Sequence, residues 1–425
     1  MDQLERVVLK RKLLDDYRPI VGEAVIEEIR TVVSELKGAR LLHLNSTATG
    51  GGVAELLNSL VPLESNCGLN VEWRLLCKGD GDGFFQVTKK IHNALQGQSI
   101  TLSREEQETY QRQNEQCAKF LDADYDAIIV HDPQPAAVLH YCQDRRAQWA
   151  WRCHIDTAQP QAEVWNFLQP FVQEFDAAIF TMDEFVPPHF AGPRLVFIPP
   201  AIDPLSSKNR ALPKYLCREE VAEFGIDLAK PLIIQVARFD PWKDPQGVIE
   251  TYRLLKKELP QLQLALIGAM AEDDPQGWEI YKTIRAEADN DPGIFTFTNL
   301  TGVHAHEVNA FQRAADVVLQ KSLREGFGLV VTEALWKGTP VVAGNTGGIR
   351  LQMQNGIGGF LVDSIQDAAD RTLYLLTHLE ESETIARRGW ERVRDRFLMP
   401  RLLLDELKLV KSLLDHDKPA KAKKK

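Results

Sequence analysis

One stretch of sequence, ADVVLQKSLREGFGLVVTEALWKGTPVVAG at residues 315–344, contains the pattern of a strand, a turn, a helix and a second strand. The first apolar run ends near Gln320, and the glycine-bearing turn LREGFG follows it. A helix is expected from about Leu329 to Lys337, with Gly338 as its stop. The next apolar run, TPVVAG, starts directly after that glycine. The stretch therefore predicts a βαβ unit, the building block of a parallel sheet.

Short apolar runs alternate with amphipathic segments along most of the chain, and the alternation occurs twice. In the first half the candidate strands are ARLLHLN, VEWRLLC, DAIIV, WAWRCH, DAAIF and RLVFI. In the second half they are PLIIQVARF, LQLALIG, GIFTFTN, ADVVLQ, TPVVAG and GGFLV. The expected fold class is α/β, with two doubly wound, Rossmann-like domains facing each other across a cleft.

The boundary between the two halves is expected in IPPAIDPLSSKNRALPK at residues 198–214, with a hinge near Pro204. Prolines and polar residues cluster there and the apolar periodicity lapses. The expected domains are residues 1–204 and residues 205–399. A helix at 400–415 would cross back to the first domain, and a disordered basic tail would follow at 416–425.

Composition excludes several classes of function. The 425-residue chain has a formal charge of −10, which disfavours a nucleic-acid groove. It shows neither a signal peptide nor an apolar run of membrane-spanning length, so a cytoplasmic protein without a membrane partner is predicted. The six cysteines lack CxxC spacing, which predicts reduced thiols rather than a disulfide framework or a zinc site. Alternating aspartates at 79–83 and 122–126 are interpreted as loops, so no metal site is predicted. The sequence leaves the oligomeric state open, with a homodimer as one alternative.

The main candidate site lies in the loops of the second half, because ligands of open parallel sheets bind beyond the carboxyl ends of the strands. Arg238 and Lys243 follow the strand in IIQVARFDPWKDP, close to an expected helix start. Two cations there suit a diphosphate, although a solvated loop has the same pattern. Glu325 would accept hydrogen bonds from sugar hydroxyls. Glu333, one turn into the helix, would grip a ribose diol.

Further donor-binding positions surround these charges. The backbone amides of Phe327, Gly328 and Leu329 are expected to point outward at the helix start. Asn299 and Leu300 would border the nucleotide base. The glycine pair in VVAGNTGGI also follows a strand, but this signal alone is weak.

The first half offers two weaker signals. Gly50, Gly51 and Gly52 lie at a strand-to-helix turn in HLNSTATGGGVAELL, where they could admit a phosphate or a sugar, or simply allow a tight turn. His154 and Asp156 end the strand in WRCHID. A histidine at this place could contact a hydroxyl or the reacting carbon, but a lone histidine at a strand end is more often purely structural.

Taken together, these motifs resemble the retaining glycosyltransferases of family four, which have the GT-B fold. Those enzymes carry a Glu-x7-Glu element, here Glu325 and Glu333, preceded by an arginine and a lysine, here Arg238 and Lys243. Within the family, the stretches NSTATGGGVAELL, WRCHID, IPPAIDPLSSKN, ARFDPWKDP and the run from GVHAHEVNAF to GNTGGI are similar to trehalose synthases of the glycosyltransferring type. The segment HIDTAQPQ departs from the serine-rich stretch expected there, which leaves acceptor contacts open.

The resemblance implies a reaction and its partners, with the acceptor bound by residues 1–204 and the donor by residues 205–399. Glucose would pass from a nucleoside diphosphate glucose to free glucose, giving α,α-trehalose with retention, in a direction that the resemblance leaves open. No cofactor would be needed, because the departing diphosphate would take the acceptor's proton while Arg238 and Lys243 stabilise its charge. Glu325 would orient the donor glucose, and His154 its primary hydroxyl or the reacting centre. A trehalose phosphorylase and a non-catalytic sugar-nucleotide sensor are the alternatives.

Overall fold

The computed structural model describes residues 4–49, 51–77, 83–121, 124–270 and 275–421. The chain divides into two compact units. The N-terminal unit comprises residues 1–200 and 399–425, and the C-terminal unit comprises residues 201–398. The division lies within the proline-rich segment 198–214, and the last helix belongs to the N-terminal unit.

The N-terminal unit contains a seven-stranded sheet among its described residues, in the order β1-β3-β2-β4-β5-β6-β7. All neighbouring pairs are parallel except β1 with β3. The strands are β1 (Glu5–Arg6), β2 (Arg40–Asn45), β3 (Asn70–Leu75), β4 (Ala127–His131), β5 (Gln148–Arg152), β6 (Ala177–Phe180) and β7 (Arg194–Phe197). The helices are α1 (Arg18–Val21), α2 (Glu23–Glu35), α3 (Gly52–Asn66), α4 (Gly83–Leu95), α5 (Arg104–Ala118), α6 (Val138–Tyr141) and α7 (Ala162–Val172), and later α16 (Met399–Lys421).

The C-terminal unit contains a second seven-stranded sheet among its described residues, in the order β10-β9-β8-β11-β12-β14-β13, with every pair parallel. Its strands are β8 (Leu232–Val236), β9 (Gln263–Gly268), β10 (Ile294–Thr298), β11 (Val317–Gln320), β12 (Val341–Gly344), β13 (Gln354–Asn355) and β14 (Gly358–Val362). Its helices are α8 (Lys214–Glu223), α9 (Pro245–Glu258), α10 (Pro275–Ala288), α11 (Ala305–Ala314), α12 (Leu329–Trp336), α13 (Ile349–Gln352), α14 (Ile365–Thr377) and α15 (Leu379–Arg396).

The apolar runs are continuous because the inner strands are covered on both faces. Every residue of β4, β8, β9, β11 and β12 is buried, as is typical of parallel sheets with helices on both sides. The helix predicted in the quoted stretch is α12, and Gly338 beyond it has φ of 73°, a conformation that favours glycine. The predicted fold of two doubly wound α/β domains is confirmed.

The cysteine prediction is wrong for one pair. Cys77 follows β3 and Cys117 lies near the end of α5, and the structure joins them in a disulfide with their Cα atoms 5.6 Å apart. Forty residues separate the two in sequence, so their proximity arises from the packing of the elements rather than from local spacing. The other four cysteines are free thiols.

Two further sequence predictions concern the aspartate clusters and the membrane. Residues 79–82, which include both aspartates of the first cluster, and residues 122–123, which begin the second cluster, lie outside the described residues. Within the described ranges, none of the helices combines the length and the apolar character that a membrane span requires.

Candidate active site

The C-terminal unit holds Lys243 and Glu325 together as an ion pair. Nζ of Lys243 lies 2.5 Å from Oε2 of Glu325, and the two side chains are 17% and 10% exposed. Ser322 Oγ donates a second hydrogen bond to the same carboxylate oxygen, at 3.2 Å. Lys243 comes from the loop after β8, and Glu325 comes from the loop after β11, the neighbouring strand. The predicted convergence at the carboxyl ends of the strands is observed for these two residues.

Local sequence fixes the position of Lys243. Pro241–Lys243 form a short 3₁₀ helix, and Asp244 then adopts a left-handed conformation with φ of 48°. Its carboxylate accepts the N–H of Gly247 at 3.0 Å and so caps α9, which begins with Pro245. The side chain of Gln235 donates to the carbonyl of Lys243 at 2.7 Å. The backbone is therefore anchored at Lys243 itself and at Asp244, the next residue.

The glycine pair at 347–348 supports the loop that carries Glu325. A Cβ atom at Gly347 would lie 1.8 Å from the carbonyl oxygen of Glu325, and one at Gly348 would lie 2.5 Å from the carbonyl oxygen of Gly326. Gln352 donates to the carbonyl of Phe327 from the helix that follows the glycines. Side chains at these glycines would push the loop away, so the weak VVAGNTGGI signal marks a packing requirement beside the site.

The start of α12 presents the expected amide groups. Gly328 is its N-cap with φ of 83°, and the N–H groups of Phe327, Gly328 and Leu329 have no hydrogen-bond acceptor among the described residues. The ring of Phe327 is buried against Phe397, with centroids 5.7 Å apart. The backbone N–H of Phe327 therefore has no acceptor among the described residues, while the side chain packs in the core.

Arg238 does not join the Lys243–Glu325 pair. Its side chain is 66% exposed and contacts Asp240, with Nη2 and Oδ2 3.3 Å apart. An exposed pair of this kind contributes little to stability. Contact of Arg238 with a diphosphate would require its side chain to turn away from Asp240.

Glu333 is buried rather than open. The side chain is 0% exposed, and Nζ of Lys208 lies 2.6 Å from Oε1. Neither carboxylate oxygen of Glu333 has a hydrogen-bond partner among the described residues, so charge attraction to Lys208 is the main contact of this carboxylate. Lys208, from the proline-rich segment, was not among the predicted residues, and a ribose could reach Glu333 only if Lys208 moved.

Replacing Lys208 by methionine should destabilise the protein. A buried carboxylate would lose its counter-charge, which is expected to lower the free energy of unfolding by about 2 kcal/mol. Urea denaturation would measure the loss, with Lys282→Met on the exposed face of α10 as the matched control. The double variant Lys208→Met/Glu333→Gln should regain most of the stability; an equal loss in the double and single variants would contradict the pairing.

Asn299 and Leu300 differ in what they can offer. Oδ1 of Asn299 accepts the N–H of Met270 at 2.7 Å, and Nδ2 donates to the carbonyl of Met270 at 3.2 Å. That side chain ties the loop after β9 to the loop after β10. Leu300 is exposed and could pack against a base.

The glycine turn of the N-terminal unit is described in part. Gly50 lies outside the described residues. Gly51 is the extended N-cap of α3, and Gly52 is the first helical residue. A Cβ atom at Gly51 would meet nothing within 4 Å. Packing does not require a glycine at this position, so the space beside the turn is available to a ligand.

His154 is held in place by buried partners. Its backbone N–H donates to Oδ1 of Asp132 at 2.9 Å, and Nε2 lies 3.0 Å from Nδ1 of His131. Burial, assisted by the charge of Arg152, keeps the pKa of His154 well below its usual range, so the ring is neutral. Nδ1 has no hydrogen-bond partner among the described residues. Asp156 accepts the N–H of Ala158 at 2.9 Å and stabilises the following loop.

A charged cluster lies beneath these residues, inside the N-terminal unit. Nε2 of His43 is 2.9 Å from Oε2 of Glu64, and Nη1 of Arg152 is 2.5 Å from Oε2 of Glu406. All four side chains are buried. One atom each from His43, Glu64 and Glu406 lie within 4.8 Å of one another, a spacing that a metal ion could span. Glu406 already pairs with the guanidinium of Arg152, and Glu64 with the imidazole of His43, so we do not identify these residues as metal ligands.

Replacing Asp132 by asparagine should stabilise the protein at alkaline pH. Burial raises the pKa of Asp132 to about 7, against the opposing hydrogen bond from His154. Its protonated form therefore stabilises the fold fully below about pH 4, and this contribution is lost as pH rises through about 7. Asparagine keeps the acceptor oxygen and tolerates the φ of 65° found here.

The measurement for Asp132→Asn is the Tm of variant and wild type across pH. Each unit of pKa elevation corresponds to about 1.4 kcal/mol, so the variant should be clearly more stable at about pH 8 and equal near pH 4. The exposed substitution Asp144→Asn serves as control. Parallel Tm curves for Asp132→Asn and wild type would contradict the assignment.

Sequence reasoning identified His154 but missed His43 and His131, the two fully buried histidines that lie behind it. Three apolar runs, LLHLN, IIVHD and RCHID, each carry one histidine at or near their end. Because β2, β4 and β5 are neighbours in the sheet, those histidines meet. The repeated position was a visible signal, but its meaning depends on the strand order.

Comparison with known proteins defines the class first. Residues 43–187 match the family described as "Trehalose synthase, N-terminal domain", and residues 218–392 match "Glycosyl transferases group 1". The solved sucrose-phosphate synthase of Thermosynechococcus elongatus has the same fold, with a TM-score of 0.69 over 89% of this chain and 100% of that chain, at 19% identity. The protein is a glycosyltransferase with the GT-B fold.

Full-length relatives then define the family. A trehalose synthase of Rubrobacter xylanophilus is 49% identical over 97% of this chain and 99% of the relative. A trehalose synthase of Pyrococcus horikoshii is 45% identical over 95% of this chain and 97% of the relative. The chain belongs to the trehalose synthase family, and the resemblance identified from the motifs is confirmed. A trehalose phosphorylase of Pleurotus pulmonarius is more distant, at 28% identity over 82% of this chain and 54% of the relative.

Proposed function

We propose that the protein is a retaining glucosyltransferase that joins glucose from a nucleoside diphosphate glucose to the anomeric hydroxyl of free glucose, giving α,α-trehalose. Relatives that match over nearly their whole length and carry the name trehalose synthase support this proposal. The observation that carries it is the Lys243–Glu325 pair beside the unpaired amides at the start of α12. The site then combines positive charge, which a diphosphate requires, with a carboxylate that can accept hydrogen bonds from the sugar hydroxyls.

Lys243 would stabilise the departing diphosphate. Its ammonium group has three N–H donors, of which Glu325 occupies one, so two remain for phosphate oxygens. The amides of Phe327, Gly328 and Leu329 would add donors that need no reorganisation during the reaction. Arg238 would supply a second cation after leaving Asp240. These groups provide the positive charge that the leaving group needs, so the proposal requires no metal ion.

Glu325 would orient the donor glucose through its hydroxyls. Its carboxylate is already fixed by Lys243 and Ser322, and a fixed acceptor loses little entropy when it binds a sugar. Retention then needs no carboxylate nucleophile. The leaving diphosphate would take the proton of the acceptor hydroxyl on the face that it vacates, while the new glycosidic bond forms on that same face.

The N-terminal unit would contribute His154 and the turn at Gly51 and Gly52. Nδ1 of His154 has no partner among the described residues, so it could contact the primary hydroxyl of the donor glucose. Space beside Gly51 would admit a sugar hydroxyl. Asp156 would act on the acceptor indirectly, by holding the loop after β5.

The burial of Glu333 is the observation that favours a second candidate function. Glu333 is buried beneath Lys208, and a trehalose phosphorylase, which uses inorganic phosphate, would not need a ribose contact at this position. The relationship to fungal trehalose phosphorylases, though distant, points the same way. Lys243 and Arg238 would serve inorganic phosphate as well as a diphosphate.

Incubation with trehalose separates the two functions. The protein is supplied with trehalose and either inorganic phosphate or a nucleoside diphosphate, with and without a chelator, and the sugar product is identified. A nucleotide sugar as product supports the proposed synthase, and glucose 1-phosphate supports the phosphorylase. Ligand binding without turnover across a panel of donors and acceptors would contradict both and indicate a sensor.

A further inference from the structure

A continuous chain of hydrogen bonds connects the buried cluster to His154. Oε2 of Glu64 lies 2.9 Å from Nε2 of His43, and Nδ1 of His43 lies 3.0 Å from Nε2 of His131. Nδ1 of His131 then lies 3.0 Å from Nε2 of His154. The three rings stack in sequence with centroids 5.3 Å apart at both steps. We call Glu64, His43, His131 and His154 the histidine chain.

Each contact in the histidine chain holds one hydrogen atom, and this requirement couples the rings. When Glu64 is ionised and the three rings are neutral, His43 must donate from Nε2 to the carboxylate. Its Nδ1 is then bare, so His131 must donate from Nε2, and His154 must do the same. In this state Nδ1 of His154 presents a lone pair.

One additional proton reverses the whole arrangement. With that proton on the Glu64–His43 pair, Nδ1 of His43 carries a hydrogen and donates to His131. His131 then donates from Nδ1 to Nε2 of His154, whose own hydrogen must sit on Nδ1. The atom that faces a ligand changes from an acceptor to a donor, although the proton binds two rings away.

We propose that Glu64, His43 and His131 are positioning residues, and that one proton on the Glu64–His43 pair decides whether Nδ1 of His154 donates or accepts a hydrogen bond at the substrate. The proposal rests on the proposed function in one respect, namely that a sugar lies beside His154. The chain itself is a property of the N-terminal unit alone. A purely structural histidine would not need two further buried histidines and a carboxylate aligned behind it.

The charges around the pair favour binding of that proton. The groups that face it are Glu406 on α16, Arg152 on β5, His131 on β4 and Cys67 at the end of α3. Burial alone would lower the pKa of His43, but the carboxylates of Glu64 and Glu406 raise it above its usual value despite the charge of Arg152. Burial also raises the pKa of Glu64.

The other two rings cannot hold the proton. Burial keeps the pKa values of both His131 and His154 well below the usual range. The added proton therefore remains on the Glu64–His43 pair and is released as pH rises through the raised pKa of His43. We expect His154 to donate from Nδ1 below that pH and to accept at Nδ1 above it.

The test is a pH titration of the full-length protein labelled with ¹⁵N in histidine. Long-range ¹H–¹⁵N spectra report which ring nitrogen carries hydrogen, and His154→Gln identifies the signals of His154. From about pH 6 to about pH 9, wild-type His43, His131 and His154 should change with one shared midpoint. His131→Phe keeps a buried ring but interrupts both contacts, so His154 should lose its dependence on pH while His43 keeps its own.

Glu64→Gln separates charge from hydrogen bonding, because an amide can donate or accept without binding a proton. The shared midpoint should fall by about one pH unit or more, whereas the exposed control Glu163→Gln on α7 should leave it unchanged. If the variant does not fold, the wild-type and His131→Phe titrations still decide. Separate midpoints for the three histidines, or the same tautomer of His154 with and without His131, would overturn the proposal. The spectra need no substrate, so failure of the histidine chain is distinguishable from failure of the proposed reaction.

Activity provides the functional readout. In whichever direction turnover is found, the pH profile of kcat/KM should have a limb at the midpoint seen in the spectra. Glu64→Gln should move that limb by the same amount as it moves the spectral midpoint. A limb that stays in place in Glu64→Gln would show that His154 does not act through the chain.

Discussion

Replacing Lys243 by alanine is expected to lower kcat by about 100-fold to 1,000-fold while the protein stays folded. Two effects act together. A cation that would stabilise the departing diphosphate is lost, and Glu325, which is 10% exposed, is left as a negative charge where more negative charge develops. Steady-state turnover of trehalose with a nucleoside diphosphate, or with phosphate if that proves to be the substrate, measures the loss.

Glu325→Ala should reduce turnover by a similar factor for a different reason. Lys243 would keep its charge, but the donor glucose would lose the acceptor that orients its hydroxyls. Because the two side chains act as one unit, the losses in the double variant should be far from additive. Lys230→Ala is the matched control, since Lys230 forms an exposed pair with Asp227 in the same unit. Rates near wild type for both Lys243→Ala and Glu325→Ala would contradict the assignment of this site.

The sequence predicted the parts of this site that depend on local pattern. The βαβ pattern at 315–344 identifies the turn that carries Glu325. Because the carboxyl ends of parallel strands lie at the same edge of a sheet, Glu325 is then expected near the loops that follow other strands. Lys243 was predictable for the same reason, because its strand is an unmistakable buried run. The contact between the two required only that β8 and β11 be close, and they are neighbours in the sheet.

Side-chain direction could not be predicted in the same way. The sequence does not distinguish Arg238 from Lys243, since both follow the same strand. In the structure Arg238 is exposed, whereas Lys243 is paired with Glu325. Glu333 was expected to be open to a ligand, but a lysine from the proline-rich segment covers it. Both outcomes depend on which charges lie nearby in the folded chain, and such neighbours leave no periodic signal.

The buried cluster is the clearest case of information that only the fold supplies. Arg152 and Glu406 are 254 residues apart in sequence, and each by itself looks like an ordinary charged residue in an apolar run. Their meeting depends on the return of α16 to the N-terminal unit. Similarly, the histidine chain exists only because the strand order makes β2, β4 and β5 adjacent.

Replacing Arg152 by methionine is expected to produce the largest loss of stability of any change discussed here. Arg152 is 2% exposed and Glu406 is 0% exposed, with Nη1 and Oε2 2.5 Å apart. Removal of the guanidinium would leave Glu406 and Glu64 buried with only His43 to offset them. Loss of one partner from a buried pair typically costs about 3–5 kcal/mol, which is a large fraction of the stability of a domain.

Urea denaturation, together with hydrogen exchange of the α16 amides, measures the effect of Arg152→Met. Arg146→Met, which breaks the exposed pair with Asp144, should cost less than about 1 kcal/mol and is the control. The double variant Arg152→Met/Glu406→Leu replaces both charges by apolar groups and should recover most of the loss, because neither charge is then left buried. If the double variant is less stable than Arg152→Met, the destabilisation comes from lost packing between β5 and α16 rather than from an uncompensated charge.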